Sequence, residues 1–202
     1  QTVVQVRDQG PAWAGLALAA MLLAAVRSGS RGGPLALEAA DVQHLLLSPA
    51  DRGATLRRPT AGVLGYGIFT GASVLAVTGS LLSQRLPGGT AEFVWSGAIF
   101  GAVITASALG AALTTASRIA PPWIMIATGW LLLAWSIADV ADRAATAPTT
   151  LAGDLLFWPM RRGTPGLVWV VAAIALVVAG LGLIGGLSIE AARRRTLLVG
   201  QL

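Results

Sequence analysis

This chain of 202 residues contains no cysteine, no lysine and one histidine, His44. Without cysteine it forms no disulfide and offers no thiolate, either as a nucleophile or as a metal ligand. A single histidine rules out the HExxH zinc motif and the pair of axial imidazoles with which membrane cytochromes hold haem. The missing lysine removes the side chain that reaches the β- and γ-phosphates in a Walker A loop, so the chain is not itself a P-loop ATPase. Charge of either sign is also scarce: 11% of residues are charged, against about a quarter in soluble domains. No Ser/His/Asp grouping falls within an apolar segment. We therefore expect no enzyme, no cofactor and no bound metal.

What remains is strongly apolar. Hydrophobic residues make up 55% of the chain and mean hydropathy is +0.73. That composition, with apolar runs of helical length, belongs to an all-α polytopic membrane helix bundle. The net charge of +5 comes entirely from arginine. The arginines cluster at the ends of apolar segments and not along one face, so they report topology in a lipid bilayer and not nucleic-acid binding. Usage rich in Ala, Gly and Arg and free of Lys points to a GC-rich bacterial genome, hence to a bacterial plasma membrane.

Five segments read as transmembrane helices: residues 11–26, 60–83, 93–117, 122–140 and 165–189. The first opens on Pro11 and ends at Arg27. The second carries Gly67 and Gly71 in a GxxxG spacing, the third Gly97 and Gly101, the fifth Gly182 and Gly186. Small residues so spaced let helices approach closely, and helix packing is the role expected of them. In the third segment Thr105, Ser107, Thr114 and Thr115 either line a polar path or bond back to helix carbonyls, and the second is the simpler expectation. In the fourth, Trp123 fits an interface, whereas Trp130 and Trp135 lie deeper and are expected to pack on a neighbouring helix. Asp139, Asp142 and Arg143 close that helix at a spacing suited to intrahelical pairing. Residues 141–164 form an external loop, in which LLFWP at 155–159 is apolar enough for a short re-entrant or surface helix but too short to span.

Residues 27–59 make the loop on the other side. Within it, residues 35–59 read LALEAADVQHLLLSPADRGATLRRP. Leu37, Val42, Leu45 and Leu46 recur at roughly helical spacing among polar neighbours, as in a helix lying at an interface. Ser48, Pro49 and Asp51 form an S-x-x-D capping arrangement for a second short helix running to Arg58, which Pro59 is expected to stop. Nine arginines fall on the side of this loop, Arg118 and residues 193–195, against five on the other. By the excess of positive charge the first side is cytoplasmic and residue 1 lies outside.

These loop residues resemble a family. ADVQHLLLSP, then ADRGATLRRP and a new span, looks like the cytoplasmic loop of ABC-2-type exporter permeases, where an acidic residue precedes an LL-x-SP-x-xR turn. Glu38, Asp41, Ser48, Pro49 and Arg52 occupy matching positions, and the detailed likeness is confined to this loop. The resemblance implies an amphipathic coupling-type loop that touches a separate ABC ATPase subunit, with Arg57 and Arg58 in its second helix. It implies that closure of the ATPase is passed to the transmembrane helices, and that a second permease half or a second copy completes an exporter. On this reading the chain is a piece of a longer permease. The alternative is a non-catalytic scaffold or accessory subunit of a larger membrane complex, which needs only helix packing.

Overall fold

The computed structural model describes residues 3–31, 52–117, 121–143, 146–161 and 167–183. Among them are helices α1 (Val3–Ser30), α2 (Arg52–Ser83), α3 (Thr90–Ala116), α4 (Pro122–Asp142), α5 (Pro148–Gly153), α6 (Trp158–Arg161) and α7 (Leu167–Gly182), and no strand. The all-α bundle expected from composition is what forms. Each of α1 to α4 holds a stretch long and apolar enough to cross a membrane. The described part of the fifth apolar segment, α7, is a helix of 16 residues without a charge.

The bundle is built around α3. Its sequence, TAEFVWSGAIFGAVITASALGAALTTA, is small or apolar on every side beyond the first turn, and a helix of that kind is the one its neighbours enclose. α1, α2 and α7 pack around it, while α4 packs on α1. Leu18, Leu22 and Val26 form a buried stripe on α1 that joins Phe100, Val103 and Ile104 of α3 in one core.

Glycine sets how closely α2 and α3 approach. The two helices run antiparallel. A Cβ on Gly71 would clash with the Thr105 hydroxyl, one on Gly101 with the Gly71 carbonyl, one on Gly97 with the Leu75 carbonyl and one on Gly79 with the Phe93 carbonyl. Backbone therefore lies on backbone along three turns, as small residues at intervals of four permit. The turn joining the two helices contains Gly88 at φ 155°, a conformation that residues with a side chain rarely adopt.

Two prolines depart from the sequence expectation. α1 begins at Val3 and has Pro11 inside it, and α2 begins at Arg52 and runs through Pro59, which therefore ends no separate short helix. Pro59 removes one N–H and crowds the carbonyl four residues back. The break is bridged next door: the Thr60 hydroxyl donates to the Leu56 carbonyl at 2.6 Å, with both residues buried. Internal prolines persist in membrane helices where such local bonds hold the turn together.

The helix directions sort the chain into two ends. Gly29 lies against the Ala112 carbonyl and Thr115, Gly67 against Leu109, and Gly180 against Leu113. The end of α1, the start of α2, the end of α3 and the end of α7 therefore share one end of the bundle. The start of α1, the α2–α3 turn, the end of α4 and both short helices share the other.

Candidate functional site

Asp139, in the last turn of α4, is 1% exposed and is the only buried ionisable side chain among those described. An ion taken out of water must be compensated by hydrogen bonds or by a counter-charge. Here the compensation comes from a chain reversal. Arg143 ends α4 in the left-handed conformation, φ 55°, with its N–H bonded to the Asp139 carbonyl. The chain then returns along the carboxylate. Oδ2 accepts the N–H of Thr146 at 3.0 Å, the N–H of Ala147 at 2.7 Å and the Thr150 hydroxyl at 2.7 Å; Oδ1 accepts the Thr146 hydroxyl at 2.6 Å. Four donors on one carboxylate, all from a single short stretch, fix that stretch in place, because hydrogen bonds to an ion are the strong ones.

Neighbouring side chains extend the network. Ser136, one turn earlier on α4, shares a 2.6 Å bond with the Thr149 hydroxyl, and the Trp135 indole donates to Thr146 Oγ1 at 2.9 Å. From the other side the Trp169 indole of α7 donates to the Pro148 carbonyl at 2.7 Å. The expected pairing of Asp139 with Arg143 is thus replaced by capping of the following loop. Trp130 and Trp135 also differ from expectation, since both are about half exposed on the outside of the bundle.

The captured stretch enters the bundle. Gly15 of α1 lies against the backbone of Thr149 and Thr150, Gly153 against the Pro11 carbonyl, and Gly10 against the Phe157 ring. Ser96 of α3 donates to the Leu156 carbonyl at 3.0 Å. Leu155, Leu156 and Phe157 are buried while Trp158 is about half exposed, so the LLF part of LLFWP folds inward beside α1 and α3.

Of the residues singled out in the sequence, Glu38, Asp41, Ser48 and Pro49 lie outside the described residues. Arg52 opens α2, and Arg57 and Arg58 are exposed in its second turn. Gly71, Gly97 and Gly101 form the α2–α3 seam, and Gly67 meets the Leu109 side chain. Gly182 has no described atom within 4 Å of where its Cβ would stand, and Gly186 lies outside the described residues. Of the hydroxyls on α3, Thr105 bonds the Gly101 carbonyl at 2.7 Å, and Thr114 and Thr115 bond the Ala111 carbonyl at 3.0 and 2.7 Å. Ser107 is buried without a partner. Among the described residues no three His, Asp or Glu side chains come together as a metal site would require.

Charge divides between the two ends. Arg27, Arg31, Arg57 and Arg58 are all exposed at one end, where the described residues include no acid. At the other, Arg7, Arg85 and Arg143 are interspersed with Asp8, Glu92, Asp142 and Asp154. Four membrane-length apolar helices assembled in this way define an α-helical membrane protein. No protein-family model, curated protein or solved structure matches the chain.

The Asp139 network is what the sequence reading missed. Its signal is present as an acid inside a span followed by TAPTT, three threonines that need partners. The question of what would satisfy a carboxylate at that depth leads to those hydroxyls.

Proposed function

We propose that this chain is the membrane-spanning permease subunit of an ABC exporter in a bacterial plasma membrane. In this role a separate ATPase subunit supplies all the chemistry, and the chain converts its closure into movement of helices. The observation that carries the reading is the arginine-rich end, where Arg27, Arg31, Arg57 and Arg58 are exposed. The described residues that flank the permease-like stretch, the end of α1 and the start of α2, both lie at that one end, beside the end of α3. An excess of arginine is the mark of a cytoplasmic face, which is where an ATPase docks. α2 continues unbroken from Arg52 to Ser83, so a push on its first turns travels along a single rigid element to the seam with α3. A second permease half or a second copy of the chain completes the transporter on this reading.

Co-purification with an ABC ATPase co-expressed from the same genome tests the assignment. The pair is expected to form a stable complex with elevated ATP hydrolysis. Joint substitution of Pro49, Arg52 and Arg57 by alanine is expected to lower that elevation about tenfold while leaving the permease folded. Full stimulation in the triple variant would remove the coupling role, and the scaffold reading would then be preferred.

A further inference from the structure

A cavity of about 490 Å³ lies between the first turns of α1 and the last turns of α2, with Leu156 and Phe157 of the inward-folded loop as its floor. That volume is within the roughly 300–1,000 Å³ of small-molecule sites. Its lining is of two kinds. Gln5 and Gln9 stand one turn apart on α1 with Trp13 one turn further, so two amides and an indole share an edge. Val6, Leu82 and Phe157 provide apolar wall. Among the described residues no charged side chain lines the cavity, although Arg7 and Asp8 occupy the same helical turn. Gln9 is half-buried, and neither its amide nor the Trp13 indole N–H has a hydrogen-bond partner among the described residues.

We propose that this cavity binds an uncharged amphiphile: a hydroxyl-rich headgroup held by Gln5 and Gln9 beside Trp13, with an alkyl chain over Val6, Leu82 and Phe157. Amides both donate and accept, and so do hydroxyls, so a ring bearing several hydroxyls supplies the Gln9 amide with partners of both kinds. The indole adds a flat apolar face with a polar tip, suited to a ligand that is itself half wet and half dry. A charged headgroup is disfavoured because the lining offers it no counter-ion once it is desolvated. The cavity also lies where such a ligand arrives, at the end of the membrane-length helices where headgroups meet acyl chains. The site rests on its lining and stands whether or not the chain is driven by an ATPase.

The probe is octyl glucoside with a diazirine near the end of its alkyl chain, photolysed with the full chain in lipid nanodiscs and mapped by peptide mass spectrometry. Saturable adducts are expected on the peptides that contain Leu82 and Leu156 to Phe157. Unlabelled octyl glucoside should displace them about tenfold more effectively than octyl sulfate or octylammonium. The double variant Gln5→Leu, Gln9→Leu should weaken saturable labelling about tenfold. Leu82→Trp, which fills the cavity from the α2 side, should abolish it with helix content and melting temperature unchanged. Equal displacement by the charged amphiphiles, adducts spread over the outer faces of α2 and α4, or full labelling of either folded variant would overturn the proposal. Should the double variant fail to fold, headgroup competition and Leu82→Trp decide the matter.

Discussion

A carboxylate buried in a membrane bundle is an expensive group, and Asp139 is kept by four donors supplied within five residues of one another. Truncating it to alanine strands two backbone N–H groups and two threonine hydroxyls. Since an orphaned buried donor costs about 1–3 kcal/mol and some of these four find other acceptors, Asp139→Ala is expected to destabilise the protein by about 3 kcal/mol. Asp139→Asn keeps one acceptor oxygen where three of the donors converge, and its amide can donate to the Thr146 hydroxyl. It is expected to cost only about 1 kcal/mol. Equilibrium unfolding in mixed micelles measures both, and equal losses would mean that the carboxylate's bonds do not hold the loop. The sequence made Asp139 conspicuous as an ionisable residue at the edge of a span, but it did not reveal its partners. They follow a chain reversal that no periodicity records, and Arg143 offered a simpler local pairing, whereas the carboxylate is bonded by Thr146, Ala147 and Thr150.

Among the helices, the most specific contact is the α2–α3 seam, and its glycines are unequal. A methyl group on Gly101 would strike the Gly71 carbonyl, so the helices must move apart. Gly101→Ala is expected to destabilise by about 1–3 kcal/mol, as overpacking does. Gly62 and Gly65 lie on the same helix α2 with no described atom within 4 Å of where a Cβ would stand. Alanine there is expected to be neutral or to stabilise by up to about 1 kcal/mol through helix propensity. Thermal melting of the three variants side by side checks the contrast, and a uniform response would mean that close approach is not what these residues provide. The GxxxG spacing was readable in the sequence, and Gly71, Gly97 and Gly101 lie where α2 and α3 approach each other. It did not reveal that Gly79 continues the seam, because that depends on which face α3 turns toward its neighbour. The prolines misled for a related reason. Pro11 and Pro59 were read as boundaries by a local rule, whereas buried neighbours such as Thr60 carry the helix past them.

For the whole molecule, composition alone announced an all-α bundle, and the alternation of helix directions agrees with it. The separation of charge between the two ends suggests a test that this chain makes easy, because it has no cysteine to remove. Arg57→Cys and Arg85→Cys place single thiols at opposite ends. In intact cells an impermeant maleimide is expected to label Arg85→Cys and to reach Arg57→Cys only after lysis. Labelling of both in intact cells would contradict the alternation, and the reverse pattern would put the arginine end outside and remove the proposed ATPase face. If an ATPase does act there, it must supply about 5.5 kcal/mol of differential binding to drive the bundle from 1:99 to 99:1 between two packings. The inward-folded loop bears on the history of each molecule as well as on its final form. Residues 146–157 leave the ribosome after α1 to α4 have been made, so the slot beside Pro11 and Gly15 waits unfilled until they arrive. Biogenesis of this region therefore finishes with a latch closing over finished spans, and a nascent chain halted before Thr146 carries an acid whose hydrogen-bond donors have yet to be translated.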